Sequence, residues 1–132
     1  MFHSAPAGTL NVTLVEGKNL HGEDLVGKND PYVELWLNKD YKQRSETVQD
    51  NNNPVWNKTF TFQINQGSSE HKLYFKVCDK DKVGEDKIGD GHLNISEVFK
   101  NQELDTWGDL PAKMGLSSHG KLHFIISFTP SM

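Results

Sequence analysis

The stretch Lys121-Leu122-His123-Phe124-Ile125-Ile126-Ser127-Phe128 carries an apolar residue at every second position, Leu122, Phe124, Ile126 and Phe128. Successive side chains of a strand point to opposite faces, so this spacing predicts a strand with one face in a core. The same period runs through Leu10, Val12 and Leu14, and through Val33, Leu35 and Leu37. It returns in Phe60, Phe62 and Ile64, and again in Leu73, Phe75 and Val77. Tyr41 to Val48 reads as a weaker strand and Ile88 to Leu93 as a short one. Turn signals separate these runs: Gly22 to Asp30, Asn51-Asn52-Asn53-Pro54, Gly67-Ser68-Ser69, Gly89 to Gly91 and Gly115 to Gly120. Only Ile95 to Lys100 reads as helical, and for little more than one turn. About eight short strands with one buried face each predict an all-β, antiparallel β-sandwich.

Composition bounds the function. With 132 residues, 35% of them hydrophobic, the chain makes one domain that buries a core without staples. The formal charge of −4 argues against a nucleic-acid binder. Attraction to an anionic surface therefore requires a local patch or a bound cation. A single cysteine, Cys78, excludes an internal disulfide and a cysteine-rich zinc site; in a strand, it reads as a packing residue. No apolar run approaches the roughly 18 residues of a membrane span. The start, Met1-Phe2-His3-Ser4-Ala5-Pro6, lacks the regions of a signal peptide, and Phe2 stands where myristoylation needs glycine. The expected location is cytoplasmic, which leaves the sequons at Asn11, Asn57 and Asn94 unglycosylated.

Two inter-strand segments concentrate acidic side chains. One runs from Asn19 to Tyr32 and contains Glu23, Asp24 and Asp30; the other runs from Asp79 to Gly89 and contains Asp81, Glu85 and Asp86. Spaced carboxylates in glycine-containing loops offer the hard oxygen ligands that Ca²⁺ takes, six to eight at a time. An EF-hand does not fit. Asp79, Asp81 and Gly84 match its positions 1, 3 and 6, but Val83 and Asp90 fall at positions 5 and 12. The preceding alternation is that of a strand, where an EF-hand needs a helix.

Three motifs resemble those of C2 domains. Gly27-Lys28-Asn29-Asp30-Pro31-Tyr32-Val33 looks like the family's G-x-x-D-P-Y-V. Asn53-Pro54-Val55-Trp56-Asn57 with Phe60 and Phe62 looks like N-P-x-W-N-x-x-F-x-F. Val77-Cys78-Asp79-Lys80-Asp81 with Asp86-Lys87-Ile88-Gly89 resembles V-x-D-x-D…D-x-I-G. The resemblance implies an eight-stranded antiparallel β-sandwich over residues 9–129, with 1–8 and 130–132 as tails. Because the hallmark loop follows the first strand and Lys121 to Phe128 closes the chain, the implied topology is the phospholipase-type permutation (type II).

By the same resemblance, Ca²⁺ ligands fall on Asp24 and Asp30 in the first loop and on Asp79, Asp81 and Asp86 in the third. The backbone carbonyls of Leu25 and Lys80 join them. The step from Asp81 to Asp86 is one residue shorter than in synaptotagmin or protein kinase C, so Glu85 stands as an alternative ligand. The implied function is calcium-dependent binding of anionic phospholipid membranes, as a peripheral protein that moves to the membrane when Ca²⁺ rises. Leu25, Val26 and Val83 are the apolar residues expected at the membrane, and Lys28, Lys80, Lys82 and Lys87 flank the loops. Lys42 and Arg44 begin a basic face, but Glu34, Trp36 and Glu46 interrupt it, which argues against phosphoinositide selectivity. Trp36 on the outward face covers sheet surface or meets lipid or a partner.

Catalysis is not expected. The six histidines show no metal-protease spacing, and no glycine-rich loop opens a helix. His119 and His123 belong to the last strand and its approach, not to one helical face. The competing reading is a calcium-independent protein-interaction module. A monomer is expected, and Trp56 is expected in the core.

Overall fold

A computed structural model describes residues 6–21, 28–80, 86–112 and 118–131. Among these residues, eight strands and one helical turn follow each other: β1 (Gly8–Lys18), β2 (Pro31–Trp36), β3 (Gln43–Arg44), β4 (Val55–Ile64), β5 (Lys72–Asp79), β6 (Asp86–Asn94), α1 (Val98–Asn101), β7 (Glu103–Asp109) and β8 (Lys121–Pro130). They form two four-stranded antiparallel sheets, ordered β4-β1-β8-β7 and β3-β2-β5-β6. The two sheets pack face to face, as the one-sided apolar period requires.

The alternating residues are the core. Val12 and Leu14 of β1 lie opposite Ile126 and Phe124 of β8 within the first sheet, Leu10 lies opposite Phe128, and Leu10, Val12, Leu14, Leu122, Phe124 and Ile126 are fully buried. Val33, Leu35, Leu73, Phe75 and Val77 do the same in the second. Phe75 and Phe124 join the sheets, with ring centroids 5.4 Å apart and planes tilted by 44°. Along one side of the sandwich, Gly91 of β6 and Gly108 of β7 make room for the Phe75 ring. A Cβ on Gly108 would lie 2.6 Å from Phe75 Cζ, and one on Gly91 would lie 2.6 Å from the Asp109 carbonyl oxygen. On the opposite side the Gln43 amide donates to the Thr61 carbonyl, 2.8 Å away, and ties β3 to the edge of β4.

Three expectations change. The weak strand over residues 41–48 contracts to Gln43–Arg44, because Ser45 then turns its hydroxyl into the ladder: Oγ accepts the Val33 N–H at 2.9 Å. The helical segment is the single turn Val98–Asn101, closed by Gln102 at φ 68°. Glu103–Asp109 is a strand the alternation did not announce, and it forms an edge of the first sheet. Trp56 is partly buried against the core, with its indole N–H donating to the Glu46 carbonyl at 2.9 Å.

The strand directions define two poles. β1, β5 and β7 end at one pole, where β2, β4, β6 and β8 begin. Both acidic segments leave from that pole. Gly8 of β1 pairs with Ile64 and Pro130 at the other.

Candidate functional site

At the acidic pole, Asp30 precedes Pro31, the first residue of β2. Proline there removes no needed ladder donor and holds the preceding residue extended. Asp79, the last residue of β5, pairs with Pro31 on one side and with Asp86, the first residue of β6, on the other. The Asp30 N–H donates to Asp79 Oδ1 at 2.8 Å, and the Lys80 N–H donates to the Asp30 carbonyl at 2.9 Å. Strand pairing therefore brings three of the expected ligands, Asp30, Asp79 and Asp86, to one pole. Asp24, Leu25, Asp81 and Glu85 lie outside the described residues, as do Val26, Lys82 and Val83. Among the described residues alone, no three His, Cys, Asp or Glu side chains converge as a metal site.

A second layer orients these carboxylates. Asp30 Oδ1 accepts the Asp50 N–H at 2.8 Å. Asn29 is clamped by Asn52 Oδ1, which accepts from the Asn29 backbone N–H at 2.8 Å and from its side-chain amide at 3.0 Å; that amide also donates to the Leu20 carbonyl. The Leu20 N–H in turn donates to the Asn52 carbonyl at 2.9 Å. The segment over residues 45–54 thus braces the described ends of the first loop, at Leu20 and at Asn29–Asp30. Its Asn51-Asn52-Asn53-Pro54 run is legible in the sequence only as a turn. The donors gathered here are carboxylate and carbonyl oxygens, the chemistry that suits a hard divalent cation. Amide donation to Asp30 and Asp79 offsets part of the repulsion between carboxylates brought together.

Lys28 and Lys80 are exposed beside this pole. Lys87 lies 3.4 Å from Asp90 Oδ2 in an exposed ion pair. Lys42 and Arg44 stand on the outer face of the second sheet. Lys42 Nζ sits 4.4 Å from the Trp36 ring centroid, and the Arg44 guanidinium 4.1 Å from that of Tyr32. Glu34 lies directly opposite Arg44, and Lys76 Nζ is 3.9 Å from Glu34 Oε1, so acids alternate with the cations. His123 is a β8 residue whose Nε2 lies 2.6 Å from Asp105 Oδ1, and His119 Nδ1 lies 2.7 Å from the Ile88 carbonyl. Cys78 is buried in β5. No helix among the described residues is long and apolar enough to cross a membrane.

A sandwich with acidic residues gathered at one pole defines a class that comparison with known proteins makes specific. The C2 domain family model matches residues 8–110. The chain is 31% identical to elicitor-responsive protein 1 of Oryza sativa subsp. japonica, covering 96% of this chain and 87% of that protein. It is 30% identical to synaptotagmin-5 of Arabidopsis thaliana over 95% of this chain, and spans 23% of that longer protein. Among solved structures, a C2 domain-containing protein from a putative elicitor-responsive gene superposes with a TM-score of 0.80, at 30% identity, covering 100% of this chain and 96% of that one. The calcium-bound pair of C2 domains from extended synaptotagmin 2 gives a TM-score of 0.77 at 26% identity, over 96% of this chain and 47% of that one. The chain belongs to the C2 domain family.

Proposed function

We propose that this protein binds anionic phospholipid membranes in a calcium-dependent manner through its acidic pole. The observation that carries the reading is the Asp30–Asp79–Asp86 arrangement, with the Asp30 N–H bound to Asp79 Oδ1 at 2.8 Å. The calcium-bound neighbour of the same fold supports it. Asp30, Asp79 and Asp86 would hold the ion together with Asp24, Asp81 and the carbonyls of Leu25 and Lys80, with Glu85 in reserve. Calcium, when bound, supplies positive charge and coordination positions that accept headgroup oxygens.

The chain's own residues do the rest. Without a counterion the carboxylates repel an anionic surface. The Asp50 amide and the Asn29–Asn52 clamp keep the first loop's base in place. Lys28 and Lys80, both exposed, add attraction of roughly 1 kcal/mol each near an anionic surface. Leu25, Val26 and Val83 supply apolar area, worth about 1.5–3 kcal/mol for each side chain fully buried. The sum gives reversible docking. Binding, not catalysis, is the proposed activity, and the location that follows is peripheral, at the membrane when Ca²⁺ is present.

The test is co-sedimentation with vesicles of phosphatidylserine and phosphatidylcholine, or of phosphatidylcholine alone, in Ca²⁺ or chelator. Calcium-dependent pelleting with the anionic vesicles is expected, and loss of it in Asp24→Asn/Asp81→Asn with the fold intact. Calcium-stimulated pelleting that survives in the double variant would remove the site from this pole.

A further inference from the structure

The outer face of the second sheet carries two rows of side chains in register across its strands. One row is charged. Arg44 on β3 is opposite Glu34 on β2, Glu34 is opposite Lys76 on β5, and Lys76 is opposite Asp90 on β6. The signs alternate plus, minus, plus, minus. The other row is aromatic: Trp36 is opposite Tyr74, and Tyr74 is opposite His92. The Trp36 and Tyr74 rings are nearly parallel, with centroids 5.9 Å apart, and Lys42 lies over Trp36 from the β3 side. The outer face of the first sheet also carries aromatic and charged groups, with Trp107 stacked on His123 at 4.7 Å and His123 bonded to Asp105, but they do not form a row of alternating sign across four strands. There Thr13 bonds to Thr59 and Asn11 to Thr61, so its polar groups satisfy one another across the strands.

We infer that this face binds a second copy of the same chain. The argument is charge complementarity. A two-fold axis lying in the interface, parallel to the strands and midway between β2 and β5, reverses the strand order of the facing copy. Arg44 then faces Asp90 of the second copy, and Glu34 faces its Lys76. Every contact within the row joins opposite charges because an even, alternating row read backwards is its own complement, while Lys87, 3.4 Å from Asp90, stands beside the end of the row. An axis at right angles to this one would set like charges against like, which is costly. On the same axis Trp36 faces Tyr74 of the second copy, so the aromatic row supplies buried area of the kind that dominates interfaces. Packed sheets cross at about 30°; Glu34 and Lys76, nearest the axis, are displaced least by that crossing. This departs from the monomer expected of the sequence.

Four strands at a spacing of about 4.8 Å, over the six residues of β2 at about 3.3 Å each, make a face of only some 300–380 Å². That is small against the ~800 Å² per partner of a standard interface, so the dimer is weak and concentration-dependent. Because the axis runs along the strands, both acidic poles point the same way.

Sedimentation velocity from micromolar to near-millimolar protein, in chelator and without lipid, tests this independently of the membrane reading. A concentration-dependent dimer is expected. Each reversal occurs twice across a two-fold interface, so Glu34→Lys or Lys76→Glu weakens association roughly tenfold or more. The exchange Glu34→Lys/Lys76→Glu restores it, since the facing pairs are again opposite in sign. Arg44 and Asp90 are exposed, so Arg44→Glu and Arg44→Glu/Asp90→Arg repeat the test where folding is not at stake. Thermal melts establish that each variant is folded. A monomer at every concentration, or a dimer indifferent to the single reversals, overturns the inference.

Discussion

Ser45, just past β3, is 5% exposed; its hydroxyl accepts the Val33 N–H at 2.9 Å and donates to the Glu46 carbonyl at 2.9 Å. Without that oxygen a buried N–H in the middle of β2 loses its partner. Ser45→Ala is therefore expected to cost about 1–3 kcal/mol, read as a lowered denaturant midpoint with an unchanged slope. Trp56 contrasts with it. Its indole packs on the core yet stays partly exposed, so Trp56→Ala is expected to cost about 2 kcal/mol, below the ~3–5 of a fully buried aromatic. A loss in the higher range would mean that the indole closes the core more completely than its exposure indicates. At the site, the Asp30 carboxylate accepts the Asp50 N–H and the Asp30 N–H donates to Asp79. Asp30→Asn keeps the backbone donor and removes the charge, so it should abolish any calcium-induced stabilisation while leaving the calcium-free melting temperature within a few degrees.

Elements differ in how openly they declare themselves in the chain. β1, β2, β4, β5 and β8 each place apolar residues on one face at period two, and each proves to be a strand with that face buried. β7 gives no such signal. Its inward positions are Leu104, Thr106 and Gly108, while its largest apolar residue, Trp107, faces outward and stacks on His123 at 4.7 Å. Gly108 serves the core by absence, leaving room for Phe75. Hydrophobic period cannot register a residue whose contribution is space. Gly108→Val should push Phe75 from its place and cost about 1–3 kcal/mol or more, measurable by equilibrium unfolding. The site divides in the same way. Asp30, Asp79 and Asp86 are legible through the motifs that resemble those of C2 domains, and spaced carboxylates between strands suit a hard cation. Asp50 is not, because it contributes a backbone amide, and an amide donor is common to every residue except proline.

For the whole molecule, stability is the simplest readout of the pole. A ligand bound only by the folded state adds RT ln(1 + [L]/Kd), about 2.7 kcal/mol at a hundredfold excess over Kd. Millimolar Ca²⁺ should raise the melting temperature of the wild type, and Mg²⁺, which demands stricter octahedral geometry, should raise it less. Equal shifts from both ions would point to general charge screening. At the opposite pole Gly8 pairs with Pro130, and the Ser131 N–H donates to the Ala7 carbonyl at 2.9 Å. β1 has 11 residues between the poles, a span of about 36 Å at some 3.3 Å per residue. A fluorescent reporter fused beside Ala7 or Ser131 would thus stand clear of the lipid while remaining near enough for energy transfer to a labelled vesicle. The neighbouring strand ends make either attachment point a handle that leaves the acidic pole untouched.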